Sequence, residues 1–388
     1  MKKVNVGMIG SGFAAILHAE SYQRVCGLEV VMKAVASVAP DAQKFADKFG
    51  FQKLYTDYRE MLRDPEIDVV DIITPPVLHA PMIKDALAAG KHVICEKPLT
   101  GYFGQPGEEG QVGLTSKRVM YDKVMAELDD LKAAVESSGK IFMYAENFCY
   151  APAVLKTAEI VKAKNSKILY MRAEEGHSGS HAPHAAQWKM SGGGSFIRQG
   201  CHPLSAALFL KQLEAAHRGE TVTLASVMAD VGVTAACLSE AEKKNIAARP
   251  VDVEDQASVL VSFSDGTKAN ITAGDFVLGG VRNVVEVYTN DGSYLSNIAP
   301  NNHLMAYDVD EEHLANVYLT EKVETKAGWQ QVFIDENYAR GYVGELQDFM
   351  ECVAYGRQPL SGFDLAYDTA KVVYAAYLSA EEGIRVKF

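Results

Sequence analysis

Several things are missing from this sequence, and each absence closes off a class of protein. Its six cysteines, at 26, 95, 149, 201, 237 and 352, nowhere take Cys-x-x-Cys spacing, which argues against a disulfide framework and against a cysteine-built zinc site. A reducing, cytoplasmic setting fits that usage. No block of lysine or arginine offsets a formal net charge of −12, so nucleic acid and anionic membrane surfaces are unfavourable partners. No apolar stretch approaches the length of a membrane span. Two lysines precede the first apolar run, Val4 to Ile9, but glycines interrupt it and no small-residue cleavage site follows, so it reads as a first strand and not as a signal peptide. Internal repeats and low-complexity tracts are absent as well.

What remains is ordinary globular material. With 388 residues, 48% of them hydrophobic and 23% charged, the chain is long enough for two domains. Up to residue 145, β-type runs (Val4 to Ile9, Glu29 to Ala36, Val69 to Ile73, His92 to Cys95, Ile141 to Ala145) alternate with helix-compatible segments (Phe13 to Val25, Pro40 to Phe49, Tyr58 to Leu62, Pro81 to Ala89, Lys117 to Ser137). Such alternation predicts a parallel sheet wrapped by helices. Residues 101–116 break the rhythm with five glycines and read as an exposed loop or lid. From 146 to 388 the pattern changes to strands joined by hairpin signals such as Ser264-Asp-Gly and Asn290-Asp-Gly, followed by helices at Ala339 to Ala354 and Ala366 to Glu382. The expected fold class is α/β: an N-terminal Rossmann domain (1–145) with a C-terminal α+β domain (146–388) on a mostly antiparallel open sheet.

Gly10-Ser-Gly12-Phe13-Ala-Ala15 lies directly after the first strand and opens the first helix, the context that a dinucleotide fingerprint requires. Glycines there permit a tight turn and close backbone approach, and the helix N-terminus offers free N–H groups to a pyrophosphate. The ribose-reading position, about 20 residues on, holds Ser37 in place of an acidic residue, with no adjacent arginine to clamp a 2′-phosphate. NAD and NADP both stay open, with NAD favoured. Lys44 is the nearest basic residue and reads as a solvated surface lysine.

Ile73-Thr74-Pro75, His79 and Glu96-Lys97-Pro98, with Gly192-Gly-Gly194, His202, Glu254-Asp255 and Ser379-Ala-Glu-Glu-Gly383, run nearly from end to end of the chain. Together they resemble the Gfo/Idh/MocA oxidoreductases, the glucose-fructose oxidoreductase and inositol dehydrogenase family. The resemblance implies that Thr74, Pro75, His79 and Glu96 line the cofactor, and that Lys97 and His202 are catalytic. Physically, Lys97 lies at the carboxyl end of a parallel strand, where desolvation would lower its pKa toward neutrality and let it relay a proton with His202, and Glu96 can pair with it. One departure stands out. The family's glycine-rich motif carries an Asp between the glycines and the His, and here that position holds Arg198, which can either bind an anionic group or form a structural ion pair, so His202 must be oriented by something else.

Glu174-Glu-Gly-His177, His181, His184 and Trp188 precede that motif and are expected to overhang the substrate. The histidines can ligate a metal with Glu174 or Glu175, or hydrogen-bond a polyhydroxylated ligand, and the second reading is preferred. Asn147, Tyr150 and the loop around Trp329 are further candidate walls. The expected activity is hydride transfer between nicotinamide and a secondary alcohol or ketone of a sugar, cyclitol or sugar acid. A rival is an NAD-retaining hydrolase or lyase that oxidises its sugar transiently; a third reading, a non-catalytic dinucleotide sensor, is disfavoured by Lys97 and His202. An open sheet with an apolar outer face would make the chain a homodimer or homotetramer.

Overall fold

The computed structural model describes every residue except 106, 108, 109 and 300–303. In the first lobe β1 (Lys2–Ile9), α1 (Phe13–Tyr22), β2 (Leu28–Ala36), α2 (Ala42–Phe49), β3 (Lys53–Tyr55), α3 (Tyr58–Leu62), β4 (Val69–Ile72), α4 (His79–Ala88), β5 (His92–Glu96), α5 (Lys117–Ser138) and β6 (Phe142–Ala145) follow one another. The strands pair in parallel in the order β3-β2-β1-β4-β5-β6. The order reverses between β1 and β4, and the crevice beyond the carboxyl ends of those strands is where such sheets hold ligands. β4 is buried along its whole length because helices cover both faces, which explains its Val-Val-Asp-Ile sequence. Its exception, Asp71, accepts hydrogen bonds from Tyr22 Oη (2.8 Å) and pairs with His18 Nδ1 (2.9 Å).

The second lobe runs α6 (Pro152–Lys164), β7 (Ile168–Gly176), α7 (Trp188–Ser191), α8 (Cys201–Arg218), β8 (Leu224–Gly232), β9 (Gln256–Phe263), β10 (Lys268–Gly274), β11 (Arg282–Thr289), β12 (Ser293–Ala299), β13 (Met305–Asp308), β14 (Gly328–Gln331), α9 (Glu336–Ala339), α10 (Tyr342–Tyr355), α11 (Phe363–Glu382) and β15 (Val386–Lys387). Seven strands form one sheet in the order β12-β11-β7-β10-β9-β8-β15, antiparallel throughout except for the β7–β10 pair. Helices α6, α8 and α11 pack on this sheet. The opposite face is less apolar than expected. One row across it reads Leu295, Glu286, Arg172, Asn270, Leu260, Met228, so charged and amide side chains occupy its middle and apolar ones its flanks.

Two expectations are corrected by packing. The helix expected from Ala339 is interrupted at Gly341, whose φ of 100° turns the chain where an added Cβ would lie 2.1 Å from the Asn147 carbonyl oxygen. The glycine-rich segment 101–116, three residues of which lie outside the described ones, is no exposed lid at its ends. Tyr102 is buried, its N–H donates to Tyr374 Oη at 2.6 Å, and Gly113 donates to Asp252 Oδ2 at 2.9 Å, so both ends are strapped to the second lobe. All six cysteines are free thiols. Among the described residues no helix is long and apolar enough to cross a membrane.

Candidate active site

A cleft of about 460 Å³ opens at the switch point, with Gly12, Phe13, Thr74, Pro75, Glu96 and Lys97 on one wall and Glu175, His177, His184, Arg198, His202 and Lys322 on the other. The two fingerprint glycines do different things. Gly10 turns the chain at φ 112°, and a Cβ there would stand 2.2 Å from the Ile73 carbonyl oxygen, so only glycine fits. A Cβ on Gly12 would meet nothing within 4 Å. It faces open space at the start of α1, a helix with no side-chain cap and no acidic residue in its first turn, which leaves its N–H groups and positive dipole end available to an anion. Phe13 is exposed at the mouth, and buried Ala15 lets α1 approach the sheet. At the end of β2, Ser37 Oγ lies 2.7 Å from Ser11 Oγ and accepts from the Ala39 N–H at 3.1 Å. These residues fit a dinucleotide: an open glycine turn, helix N–H groups without a side-chain cap, and hydroxyls at the ribose end. His79 lies behind the cleft, its ring between the carbonyls of Thr74 (2.9 Å) and Pro98 (2.8 Å), where it braces the two loops that carry Thr74 and Lys97.

Lys97 leaves β5 into the cleft and its Nζ donates to the Arg198 carbonyl oxygen at 2.8 Å. Glu96 does not pair with that ammonium by hydrogen bond. One oxygen accepts from the Lys97 backbone N–H (2.8 Å) and the other lies 3.3 Å from His18 Nε2. The expected lowering of the lysine pKa is also corrected. Burial pulls it down, but the carboxylates Glu96, Glu175 and Glu146 oppose burial and its pKa stays above the usual lysine range, so Lys97 is a cation.

His202, near the start of α8, presents Nδ1 to Glu146 Oε1 at 2.6 Å, with both groups buried and the imidazole stacked on Phe148 at 4.9 Å. The carboxylate accepts from Nδ1 and leaves Nε2 for the cleft, so Glu146 orients the histidine that the missing Asp would have oriented. Sequence reasoning overlooked Glu146. Its one available signal was position, since it directly follows β6 at the ligand-bearing edge of the sheet. Arg198 forms a close ion pair with Asp275 beyond β10, which is the structural alternative of its two readings, while its carbonyl receives Lys97.

The histidine-rich loop splits. His177 is buried in the cleft wall, its Nδ1 accepting from the Gly179 N–H at 2.9 Å. Desolvation, with Lys322 and Arg198 nearby, pushes its pKa down to about 2. His184 borders the same cleft, but His181 faces a neighbouring cavity of about 390 Å³. Among the described residues, the group of three ligand-type side chains with atoms within 4.8 Å of one another is Glu146, Cys201 and His202, to which no loop histidine belongs. Other candidates sit elsewhere. Trp188 is buried against Tyr377 (4.9 Å) with Lys117 Nζ over its ring, Asn147 Nδ2 donates to the Arg340 carbonyl at 2.8 Å, and Tyr150 Oη donates to Asp348. Trp329 is an exposed β14 residue beside Tyr307. Lys322 and Arg340, which the sequence reading also missed, complete the far wall.

Comparison with known proteins bears on this site. Residues 4–107 match the family model described as oxidoreductase family, NAD-binding Rossmann fold, and residues 164–295 match the GFO/IDH/MocA C-terminal domain. The chain is 27% identical over 399 aligned positions to levoglucosan dehydrogenase of Pseudarthrobacter phenanthrenivorans, covering 98% of this chain and 97% of that one. To myo-inositol 2-dehydrogenase of Thermotoga maritima it is 23% identical over 385 positions, covering 99% and 98%. Among solved structures, GenD2 from gentamicin A biosynthesis in complex with NAD superposes with a TM-score of 0.78 at 23% identity over 100% of this chain and 97% of that one. Levoglucosan dehydrogenase with NADH and levoglucosan gives 0.73 at 23% identity over 100% and 99%. At these identities the superpositions speak for the fold.

Proposed function

Because the chain belongs to the GFO/IDH/MocA family of oxidoreductases with an NAD-binding Rossmann fold, we propose that it moves a hydride between NAD and a secondary alcohol or ketone of a sugar or cyclitol. One observation carries the reading: Lys97 from the first lobe and His202 from the second border one cleft that begins at the open Gly12 turn.

Gly10, Gly12 and the free N–H groups of α1 would hold the pyrophosphate, Ser37 the ribose, and Thr74 and Pro75 the approach to the nicotinamide, whose ring accepts or returns the hydride when the cofactor is bound. The protein's own part is proton and charge management. The Lys97 ammonium donates a hydrogen bond to the substrate oxygen and stabilises the negative charge that builds there. His202 Nε2 takes the hydroxyl proton, and the buried Glu146 carboxylate stabilises the resulting imidazolium, as in other carboxylate–histidine pairs. In the reverse direction the same imidazolium returns the proton.

NAD is favoured over NADP because Ser37 is tied to Ser11 and Ala39, and among the described residues no cation is hydrogen-bonded to it that would clamp a 2′-phosphate. The rival hydrolase or lyase reading drew on the loop histidines as a metal-binding group, and of these His177 and His184 border the cleft while His181 lines a neighbouring cavity. The mixed outer face of the seven-stranded sheet suits a homodimer or homotetramer contact, which light scattering at micromolar concentration tests; a monomer mass removes it.

The experiment is Lys97→Met against wild type, with levoglucosan and myo-inositol as probes and NADH formation followed by absorbance. Turnover should fall by roughly 100-fold or more while NADH affinity holds. Near-normal turnover would exclude Lys97, and titration with NADPH alongside NADH tests the cofactor preference.

A further inference from the structure

Cys201 and His202 stand side by side at the start of α8, and Glu146 reaches them from the edge of β6. A thiol sulfur, an imidazole nitrogen and a carboxylate oxygen lie there within 4.8 Å of one another, and all three residues are buried. The chemistry proposed above uses the imidazole and the carboxylate and has no part for the thiol. It also leaves one oxygen over. Glu146 Oε1 receives His202 Nδ1 at 2.6 Å, while Oε2, on a side chain with no exposed surface, has no hydrogen-bond partner among the described residues. An anionic oxygen buried without a donor is costly, and a cation satisfies it as a donor would.

The donor set selects the cation. Thiolate and imidazole suit zinc, whereas magnesium and calcium take oxygen ligands. Tetrahedral zinc, with bonds of about 2.0–2.3 Å, holds its ligand atoms roughly 3.4–3.6 Å apart. The 2.6 Å contact would open to that value, and since no separation exceeds 4.8 Å the others would close by at most about 1.4 Å. Charge points the same way. Burial, joined by Glu146, Glu175 and Glu96, pushes the pKa of the Cys201 thiol up against the pull of Lys97. The surplus of carboxylates that disfavours a lone thiolate favours a divalent cation, and the bound cation supplies the charge that keeps the sulfur ionised. His202 borders the cleft, which gives an ion a way in, and three protein ligands leave the fourth position to water.

We propose that Glu146, Cys201 and His202 form an inhibitory zinc site. The ion binds Sγ, Nδ1 and a Glu146 oxygen, the thiol proton leaves to solvent, and the imidazole proton moves from Nδ1 to Nε2. Nε2 then has no lone pair for the hydroxyl proton of the substrate, so the base is switched off by its tautomer. The site stands without the dehydrogenase reading; its effect on turnover rests on it.

Equilibrium dialysis against zinc chloride, read by elemental analysis, tests the site. Wild type should bind zinc at least roughly 10-fold more tightly than Cys201→Ala, with Cys201→Ser as the second variant should alanine not fold, and excess magnesium should not compete. Cobalt(II) in place of zinc should give wild type a thiolate charge-transfer absorption that the cysteine variants lack. In the rate assay zinc should lower wild-type turnover roughly 100-fold, as expected from losing a general base, and EDTA should restore it. Cys201→Ala should match the metal-free wild-type rate and keep it at zinc concentrations that stop wild type. No zinc on wild type, equal binding by wild type and the cysteine variants, or a cobalt complex without thiolate absorption each overturns the site. Zinc held through Cys201 with turnover unchanged overturns the inhibition. Zinc held through Cys201 by a protein that reduces no NAD with any polyol sinks the dehydrogenase reading and leaves the site standing.

Discussion

Glu345 offers a sharp test of the electrostatics beneath the cofactor cradle. It lies on α10, wholly buried, and neither carboxyl oxygen has a hydrogen-bond partner among the described residues. His18 of α1, Glu96 of β5, Asp71 of β4 and Glu146 after β6 face it. Burial, joined by the three carboxylates, pushes its pKa well above the ordinary 4.5, and only His18 opposes this. The folded protein thus keeps a proton that the unfolded chain releases above pH 4.5. A raised folded-state pKa means that the group's contribution to stability is full below the unfolded value and is lost as pH rises through the folded one. The rate of loss is about 1.36 kcal/mol per pH unit. Glu345→Gln keeps the shape and has no proton to lose. Relative to it, wild type should lose about 1 kcal/mol between pH 4.5 and 5.5, where the unfolded carboxyl is only partly ionised, and about 1.3 kcal/mol per unit beyond that until the folded-state pKa is reached, after which the difference is constant. His18, whose folded pKa is itself raised against burial by Asp71 and Glu96, meets a neutral residue at 345 in both proteins over that range and drops out of the comparison. Urea melts of both proteins across this pH series measure the difference directly. A stability difference independent of pH would show that Glu345 is ionised in the fold and that an unseen partner compensates it.

Two further outcomes follow from the site. Gly12→Ala should leave stability within about 0.5 kcal/mol of wild type, because its Cβ meets no protein atom, yet weaken NADH binding by roughly 10-fold or more, whereas Gly10→Ala should cost at least about 1–3 kcal/mol of stability; thermal melts and NADH titration separate the two. Glu146→Ala should lower kcat by roughly 10- to 150-fold with NADH affinity retained, the value of a charge-assisted hydrogen bond expressed in the transition state, and an unchanged kcat in single-turnover measurements would remove the pair from the mechanism.

The first lobe was legible because each of its elements carries its own local period and the cofactor turn is contiguous in sequence. β3 escaped notice, since three residues carry no measurable alternation. So did α8, which is packed on nearly every side by the sheet, α6 and α11 and hence lacks the polar stripe that marks a surface helix. Lys97 and His202 were readable because they sit in short motifs. Arg198 was not resolvable, because its fate depends on Asp275, 77 positions further along the chain and brought to it only by β10. Glu175 could be noticed, but whether it or Glu174 faces inward depends on the register of β7 with β10 and β11, and a slip of one residue would exchange them.

Glu146 shows why a motif alone understates this site. His202 belongs to a helix of the second lobe and Glu146 to the last strand edge of the first, so the pair proposed to be catalytic exists only when the lobes are in register. The turn beside it is closely packed. Asn147 donates to the Arg340 carbonyl, and Gly341 is pressed so closely on the Asn147 carbonyl that no side chain would fit between α10 and the strand edge. Here the carboxylate comes from across the lobe boundary, so under the proposed mechanism the orientation of the base depends on the fit of the two lobes.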